Sequence, residues 1–277
     1  MKAWKKPLPG YEWLIHQVWY LEVEEGEVIE PKPYLIPNMR AHLLFTPETQ
    51  AYSYDNGELI LSGWGNHLLT ATDKLLLLDD HPPLKRIGIT FRPEALYCLN
   101  QEAVQPINQC QWFDWLTSLF DKQFQRVLWQ SSDDATQLLN TVKQHFDSLS
   151  ISPNQDKAFL LAQRAVTLIE HHIESPDRVD VAWLANECAC SRRTLERSFK
   201  LVVGLSVKQY LQMMRLELMV LSIYQQQSDI DWTELSQQFG FSDQSHLIRT
   251  LKQQLGKTPT KYLKQRDLTI DIYGDFE

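Results

Sequence analysis

The sequence predicts an α+β protein: a β-rich N-terminal domain with a helical extension, then an all-α C-terminal domain. Three observations carry this. Residues 11–92 hold short runs of aromatic, β-branched or alternating apolar residues. From Pro93 apolar residues take helical spacing, and no glycine occurs between Gly88 and Gly204. The C-terminal part contains an internal near-repeat.

In the first region, Ile15–Val23, Glu58–Leu61 and Lys85–Phe91 read as strands, the last closed by Arg92-Pro93. Asn56-Gly57 reads as a two-residue hairpin turn, because both residues tolerate positive φ. In the helical extension, Trp112, Trp115, Leu116 and Leu119 fit one helix, and Leu138, Leu139, Val142 and Phe146 a second. Ser150-Ile-Ser-Pro-Asn-Gln reads as a linker. Phe159, Ala162, Val166, Ile169 and Ile173 form a third amphipathic helix, stopped by Ser175-Pro176. The expected divisions are 1–105, 106–153, 154–266 and an acidic tail over 267–277.

The near-repeat is Trp183–Lys200 followed by Gly204-Leu-Ser, then Glu234–Lys252 followed by Gly256-Lys-Thr-Pro. Leu195 and Leu247, Arg197 and Arg249, and Gly204 and Gly256 differ by 52 positions, whereas Leu184 and Leu235 differ by 51. The second copy therefore carries one extra residue in its turn. Each copy reads as helix–turn–helix, with first helices near Val179–Glu187 and Trp232–Gln238. Ser191 caps one second helix, and Ser242 or Asp243 the other. Leu195 with Phe199, and Leu247 with Leu251, lie at i, i+4 on the inner faces. Arg193, Arg197 and Lys200, and in parallel Ser245, Arg249 and Lys252, form outward polar stripes of the kind that major-groove reading requires. Val207–Gln226, capped by Ser206, reads as one long connecting helix with Leu211, Met214, Leu218 and Leu221 inward, and with Gln212 and Met213 away from that stripe. About 20 residues span roughly 30 Å, close to the ~34 Å between successive major grooves on one DNA face.

Composition narrows the classes. The chain has 277 residues, 43% hydrophobic and 22% charged, which excludes a collagen, a disulfide scaffold and a disordered chain. No apolar run reaches the roughly 18 residues of a membrane span. Met1-Lys-Ala-Trp-Lys-Lys-Pro lacks the apolar stretch of a signal peptide. Cys98, Cys110, Cys188 and Cys190 are irregularly spaced, which suits a reducing cytoplasm. The net charge of −8 is uneven: residues 1–154 hold 12 basic against 19 acidic residues, whereas residues 191–266 hold 12 against 6. The charge of the contacting face, not the total, governs nucleic-acid binding.

Gly240-Phe-Ser-Asp-Gln-Ser-His-Leu-Ile-Arg-Thr-Leu-Lys with Gly256-Lys-Thr-Pro-Thr-Lys-Tyr is similar to the second helix-turn-helix signature of the AraC/XylS family of bacterial transcription regulators. Ser191-Arg-Arg-Thr-Leu-Glu-Arg-Ser-Phe-Lys with Gly204-Leu-Ser is similar to the first. The resemblance covers about residues 157–265. Leu247, Leu251 and Leu255 stand where that family commonly has Phe, and Val207 where Pro is common. It implies about seven helices and two recognition helices, near 191–202 and 243–253. Carried over to this chain, the implied DNA contacts are Ser191, Arg192, Arg193, Glu196, Arg197 and Lys200 in the first. In the second they are Ser242, Gln244, Ser245, His246, Arg249 and Lys252, followed by Lys257 and Thr258. Ile87-Gly-Ile-Thr-Phe-Arg-Pro-Glu-Ala-Leu-Tyr resembles, more weakly, the cupin-like effector or dimerisation domain of one subgroup.

The expected function is a cytoplasmic, sequence-specific regulator of transcription, with double-stranded DNA as partner. A small-molecule effector, RNA polymerase and a second copy are further partners the family implies; no membrane is expected. The alternative is a ligand-binding or protein-interaction module whose helix-turn-helix pair does not bind DNA. No enzyme or cofactor is expected, since phosphate loops and nucleophile elbows are absent. His16, His42, His67 and His81 lack a His-x-His pattern, and Cys188-Ala-Cys190 lacks zinc-ligand partners, so neither reads as a metal site. The N-terminal tryptophans and tyrosines read as barrel core rather than pocket lining.

Overall fold

A computed structural model describes residues 1–29, 34–100, 104–173, 179–225 and 230–263. The acidic tail, the stop at Ser175-Pro176 and Gln226 lie outside these residues.

Ten strands are described: β1 (Lys2–Lys6), β2 (Ile15–Val23), β3 (Tyr34–Leu35), β4 (His42–Phe45), β5 (Ala51–Asp55), β6 (Ile60–Trp64), β7 (His67–Leu69), β8 (Leu76–Leu78), β9 (Leu84–Phe91) and β10 (Cys110–Gln111). They form an antiparallel six-stranded sheet, β1-β2-β9-β4-β7-β10, and a four-stranded sheet, β3-β8-β5-β6. The helices of this half are α1 (Ala95–Leu99), α2 (Asp114–Leu119), α3 (Lys122–Gln130) and α4 (Ala135–Leu149).

The central strands β2, β9, β4 and β7 of the large sheet are buried on both faces. Trp19, Leu21 and Leu44 face the barrel interior and pack with Tyr52, Tyr54, Leu76 and Leu78 of the small sheet. Val18, Tyr20, Phe45, Ile87 and Ile89 face the other way, onto Leu116, Phe120, Phe124 and Phe146 of α2–α4. Gly88 is required here: any Cβ would overlap the Trp19 indole. The helical extension is therefore the second wall of the N-terminal core. The boundary expected at 105 moves outward, because β10 pairs with β7, Cys110 opposite Leu69. A two-residue strand offers no alternation to read.

The hairpin at Asn56-Gly57 also differs from expectation. Asp55 pairs with Ile60, so the loop is four residues long. Only Gly57 has positive φ, +82°. Side chains hold the loop instead: Asp55 Oδ1 accepts from the Gly57 N–H, and Asn56 Oδ1 from those of Glu58 and Leu59.

The barrel interior is polar in part and tightly paired. Arg86 donates to both Asp80 oxygens, at 2.8 and 2.6 Å. Thr90 Oγ1 lies 2.9 Å from His42 Nδ1 and accepts from the Trp19 indole at 3.1 Å. His67 sits with Nδ1 2.8 Å from the Gly65 carbonyl and Nε2 2.8 Å from the Tyr54 hydroxyl. A carbonyl can only accept, so Nδ1 carries the proton and Nε2 accepts from Tyr54. Burial pushes the His67 imidazole down to about 3. Among the described residues no group of three or more His, Cys, Asp or Glu is placed to hold a metal. All four cysteines are free thiols.

The C-terminal domain has seven helices among the described residues: α5 (Lys157–His172), α6 (Val181–Glu187), α7 (Arg192–Val203), α8 (Val207–Gln225), α9 (Trp232–Gln238), α10 (Gln244–Leu255) and α11 (Pro259–Leu263). Phe159, Leu184, Leu195 and Phe199 pack as one core with the first half of α8. Leu235, Leu247, Leu251 and Leu255 pack as another with its second half. No described helix is long and apolar enough to cross a membrane.

A candidate nucleic-acid interface

Polar residues at the helix starts build the two helix-turn-helix units. Asp180 caps α6, and Ser191 Oγ accepts the Thr194 N–H at 3.1 Å to start α7. Asp231 caps α9, and Asp243, not Ser242, caps α10 through the His246 N–H at 2.8 Å. That bond is the leading cause holding the Asp243 carboxyl below its ordinary range. Ser242 instead donates to Asp243 Oδ2 at 3.1 Å. Residues 188–191 join α6 to α7, and residues 239–243 join α9 to α10, so the extra residue lies in the second turn. The equivalent turn positions Ala189 and Gly240 both have positive φ, +50° and +70°. Both second helices end on a left-handed glycine, Gly204 and Gly256.

The inner faces are closed as the spacing requires: Leu195, Phe199, Leu247 and Leu251 are fully buried. The outer faces are open. Arg192, Arg193, Arg197 and Lys200 are exposed on α7, and Gln244, Ser245, His246, Arg249 and Lys252 on α10. Each outer face follows directly from its buried i, i+4 pair, because residues a turn apart share a side of the helix. Arg249 Nε donates to the Ser245 carbonyl at 3.2 Å, and the His246 ring meets Phe241 edge-on at 5.2 Å.

Three expected contacts are engaged elsewhere. Glu196 is half-buried and accepts the Val207 N–H at 3.3 Å, so it holds the start of α8 against α7 rather than facing outward. Lys200 Nζ donates to the Gly204 carbonyl at 2.6 Å and closes the end of α7. Lys257 Nζ lies 3.5 Å above the centre of the Tyr34 ring, in the N-terminal domain. Burial lowers the Lys257 ammonium below its ordinary value. Thr258 is exposed, and its Oγ1 lies 3.4 Å from the Lys261 N–H at the start of α11.

The connector begins with a reciprocal cap. Ser206 Oγ accepts the Gln209 N–H at 3.2 Å, while Gln209 Oε1 accepts from the Ser206 N–H at 3.0 Å. At 1.5 Å per residue, α8 is roughly 28 Å long. Its burial is wider than one stripe. Gln212 is exposed as expected, but Met213 is 4% exposed and packs in the first core. The reason is that α8 is covered on a second side by the N-terminal domain: Met39 and Ala71 join the first core, and Ile36 the second. Gln209 Nε2 also donates to Asp73 at 2.9 Å across this contact.

Comparison with known proteins agrees with this geometry. Residues 184–265 match the family model described as a helix-turn-helix domain. RhaR of Salmonella arizonae, described as an HTH-type transcriptional activator, is 26% identical over 126 residues, 46% of this chain and 43% of its own length. The chain thus matches less than half the length of that relative. The structure of ToxT from Vibrio cholerae superposes over 90% of this chain and 98% of its own, with 11% identity and a TM-score of 0.50, a likeness of fold. The segment 184–265 matches a helix-turn-helix domain, and the resemblance to the AraC/XylS family is confined to the C-terminal domain.

Proposed function

We propose that this chain is a sequence-specific DNA-binding regulator of transcription that acts in the cytoplasm. The observation that carries the reading is the pair of exposed basic or polar faces, on α7 and α10, each fixed by a fully buried opposite face and joined by one continuous helix. Arg193, Arg197 and Arg249 read guanine edges, since guanidinium pairs bidentately with O6 and N7. Gln244, Ser245 and His246 read neighbouring bases. Ser191, Arg192, Ser242, Lys252 and Thr258 hold the phosphates. The likeness to a relative described as a transcriptional activator supports the same reading.

The N-terminal domain packs against both halves of α8, which suits a sensing or subunit-pairing role that acts on the separation of the reading heads. A small molecule or a second copy is the partner of that domain, and RNA polymerase a partner of the bound complex.

The experiment is selection of duplexes from a random pool, followed by titration of the winner at several salt concentrations. Affinity is expected to fall steeply with salt through counterion release. Arg197→Ala and Arg249→Ala are each expected to lose ~1–3 kcal/mol at one base position and to relax specificity there. An unenriched pool, or binding indifferent to salt and to both substitutions, overturns the reading.

A further inference from the structure

The two domains meet across a buried cluster of charge. Arg40, Arg92 and Glu94 come from the N-terminal domain, Glu170 from α5, and Tyr210 and Glu217 from α8. Arg40 Nη1 donates to Glu217 at 2.9 Å, and Arg92 Nη2 donates to Glu170 at 2.8 Å. Each arginine thus has its carboxylate, and Glu94 is a third carboxylate in a cluster with two cations. It is 2% exposed and lies 3.9 Å from Arg92 Nε. Its Oε2 has no hydrogen-bond partner, and neither has the buried Tyr210 hydroxyl. A groove of about 380 Å³ between the domains runs beside it, with Glu12 and Arg164 on the walls. Arg164 is committed to the Glu187 carbonyl at 2.7 Å. Among the described residues the half-buried Cys98 thiol is a further ionisable neighbour, which burial pushes up to about 11.

Ionised Glu94 leaves the cluster one negative charge in excess, in a place with little water to screen it. Protonated Glu94 leaves it neutral. We propose that Glu94 is a proton-operated latch between the two domains: uptake of one proton favours their closure, and its loss loosens them. The latch rests on the domain contact and not on DNA reading.

The direction follows from linkage. Burial is the largest cause raising the Glu94 carboxyl, to about 7, with Glu170 adding to it and Arg92 and Arg40 opposing. Once the domains part, water reaches the carboxyl and it returns to the ordinary range. The closed form therefore binds the proton more tightly. The latch is fully set below the ordinary carboxylate range, is lost as pH rises to about 7, and changes no further above that. One linked proton makes the closure constant fall about tenfold per pH unit inside this window.

The test is hydrogen exchange of the full chain from pH 5 to 8, corrected for intrinsic rates and read on amides of α5. Wild-type protection is expected to fall about tenfold per unit toward pH 7 and then level off. Glu94→Gln, an isosteric copy of the protonated side chain, is expected to hold its protection flat. Glu170→Gln removes a like charge and frees Arg92 for Glu94, so its transition is expected at lower pH. Parallel curves for wild type and Glu94→Gln, or no shift in Glu170→Gln, overturn the latch. Should Glu94→Gln fail to fold, a carbon-13 titration of the wild-type carboxyl decides: a midpoint in the ordinary carboxylate range overturns it.

Discussion

Arg40 and Glu217 form a buried ion pair between the domains, Nη1 lying 2.9 and 3.2 Å from the two carboxylate oxygens. Each side chain is 7% exposed. Removing one partner strands a charge out of water, whereas replacing both with apolar residues removes the desolvation cost as well. Arg40→Met and Glu217→Leu are each expected to cost ~3–5 kcal/mol in urea unfolding. The double variant is expected to recover most of it. Additive losses would show that the two groups do not depend on each other.

Phe199 is fully buried and meets Tyr210 edge-on at 5.3 Å. It links α7 to the connector α8. Phe199→Ala is expected to cost ~3–5 kcal/mol, as large core truncations do. A thermal midpoint equal to wild type would show that this face is not core.

His67 is held neutral by burial beside Arg86, which drives its imidazole down to about 3. Its ring resonances are expected not to titrate between pH 5 and 8. An unfolded chain carries this imidazole at its ordinary value near 6.5, so the sign is fixed. The neutral ring contributes stability above pH ~6.5 that is lost as pH falls, at about 1.4 kcal/mol per unit. His67→Gln is expected to flatten that acid limb in unfolding measurements.

Gln212 is the exposed position on which to test connector stiffness, since Met213 beside it belongs to the core. Proline at 212 removes a backbone donor and kinks the helix, costing ~3 kcal/mol. Specific affinity is expected to collapse while salt-sensitive binding to random duplex persists. Equal losses on both duplexes would count against two coupled heads.

The C-terminal half was the more legible half. Its signals are local: a cap, an i, i+4 apolar pair and an outward stripe lie within ten residues of one another, and the repeat states them twice. The N-terminal half is legible in its long strands β2 and β9, whereas β3, β7, β8 and β10 are only two or three residues long and offer no alternation to read. Helix α3 was missed although Asp121 caps it, since Phe124 and Leu128 alone are buried in its nine residues. The directions of Glu196 and Lys257 were not legible either. One is set by the start of another helix and the other by Tyr34, and neither partner is near in sequence. The Glu94 cluster is tertiary throughout and has no local signature.

The extra residue in the second turn makes the two helix-turn-helix units unequal. Five residues, 239–243, join α9 to α10, whereas four, 188–191, join α6 to α7. The two units also carry unlike side chains, Arg193 and Arg197 facing out on α7 where α10 has Ser245 and Arg249 at the matching positions. They stand in fixed order along one chain, so on the proposed reading each chain meets DNA as an arrow rather than a palindrome. If the proposed function holds, its target is two dissimilar boxes, and inverting the pair turns the N-terminal domain to face the opposite way along the duplex. On that reading, whatever the domain touches would be chosen by the orientation of the site as well as by its position.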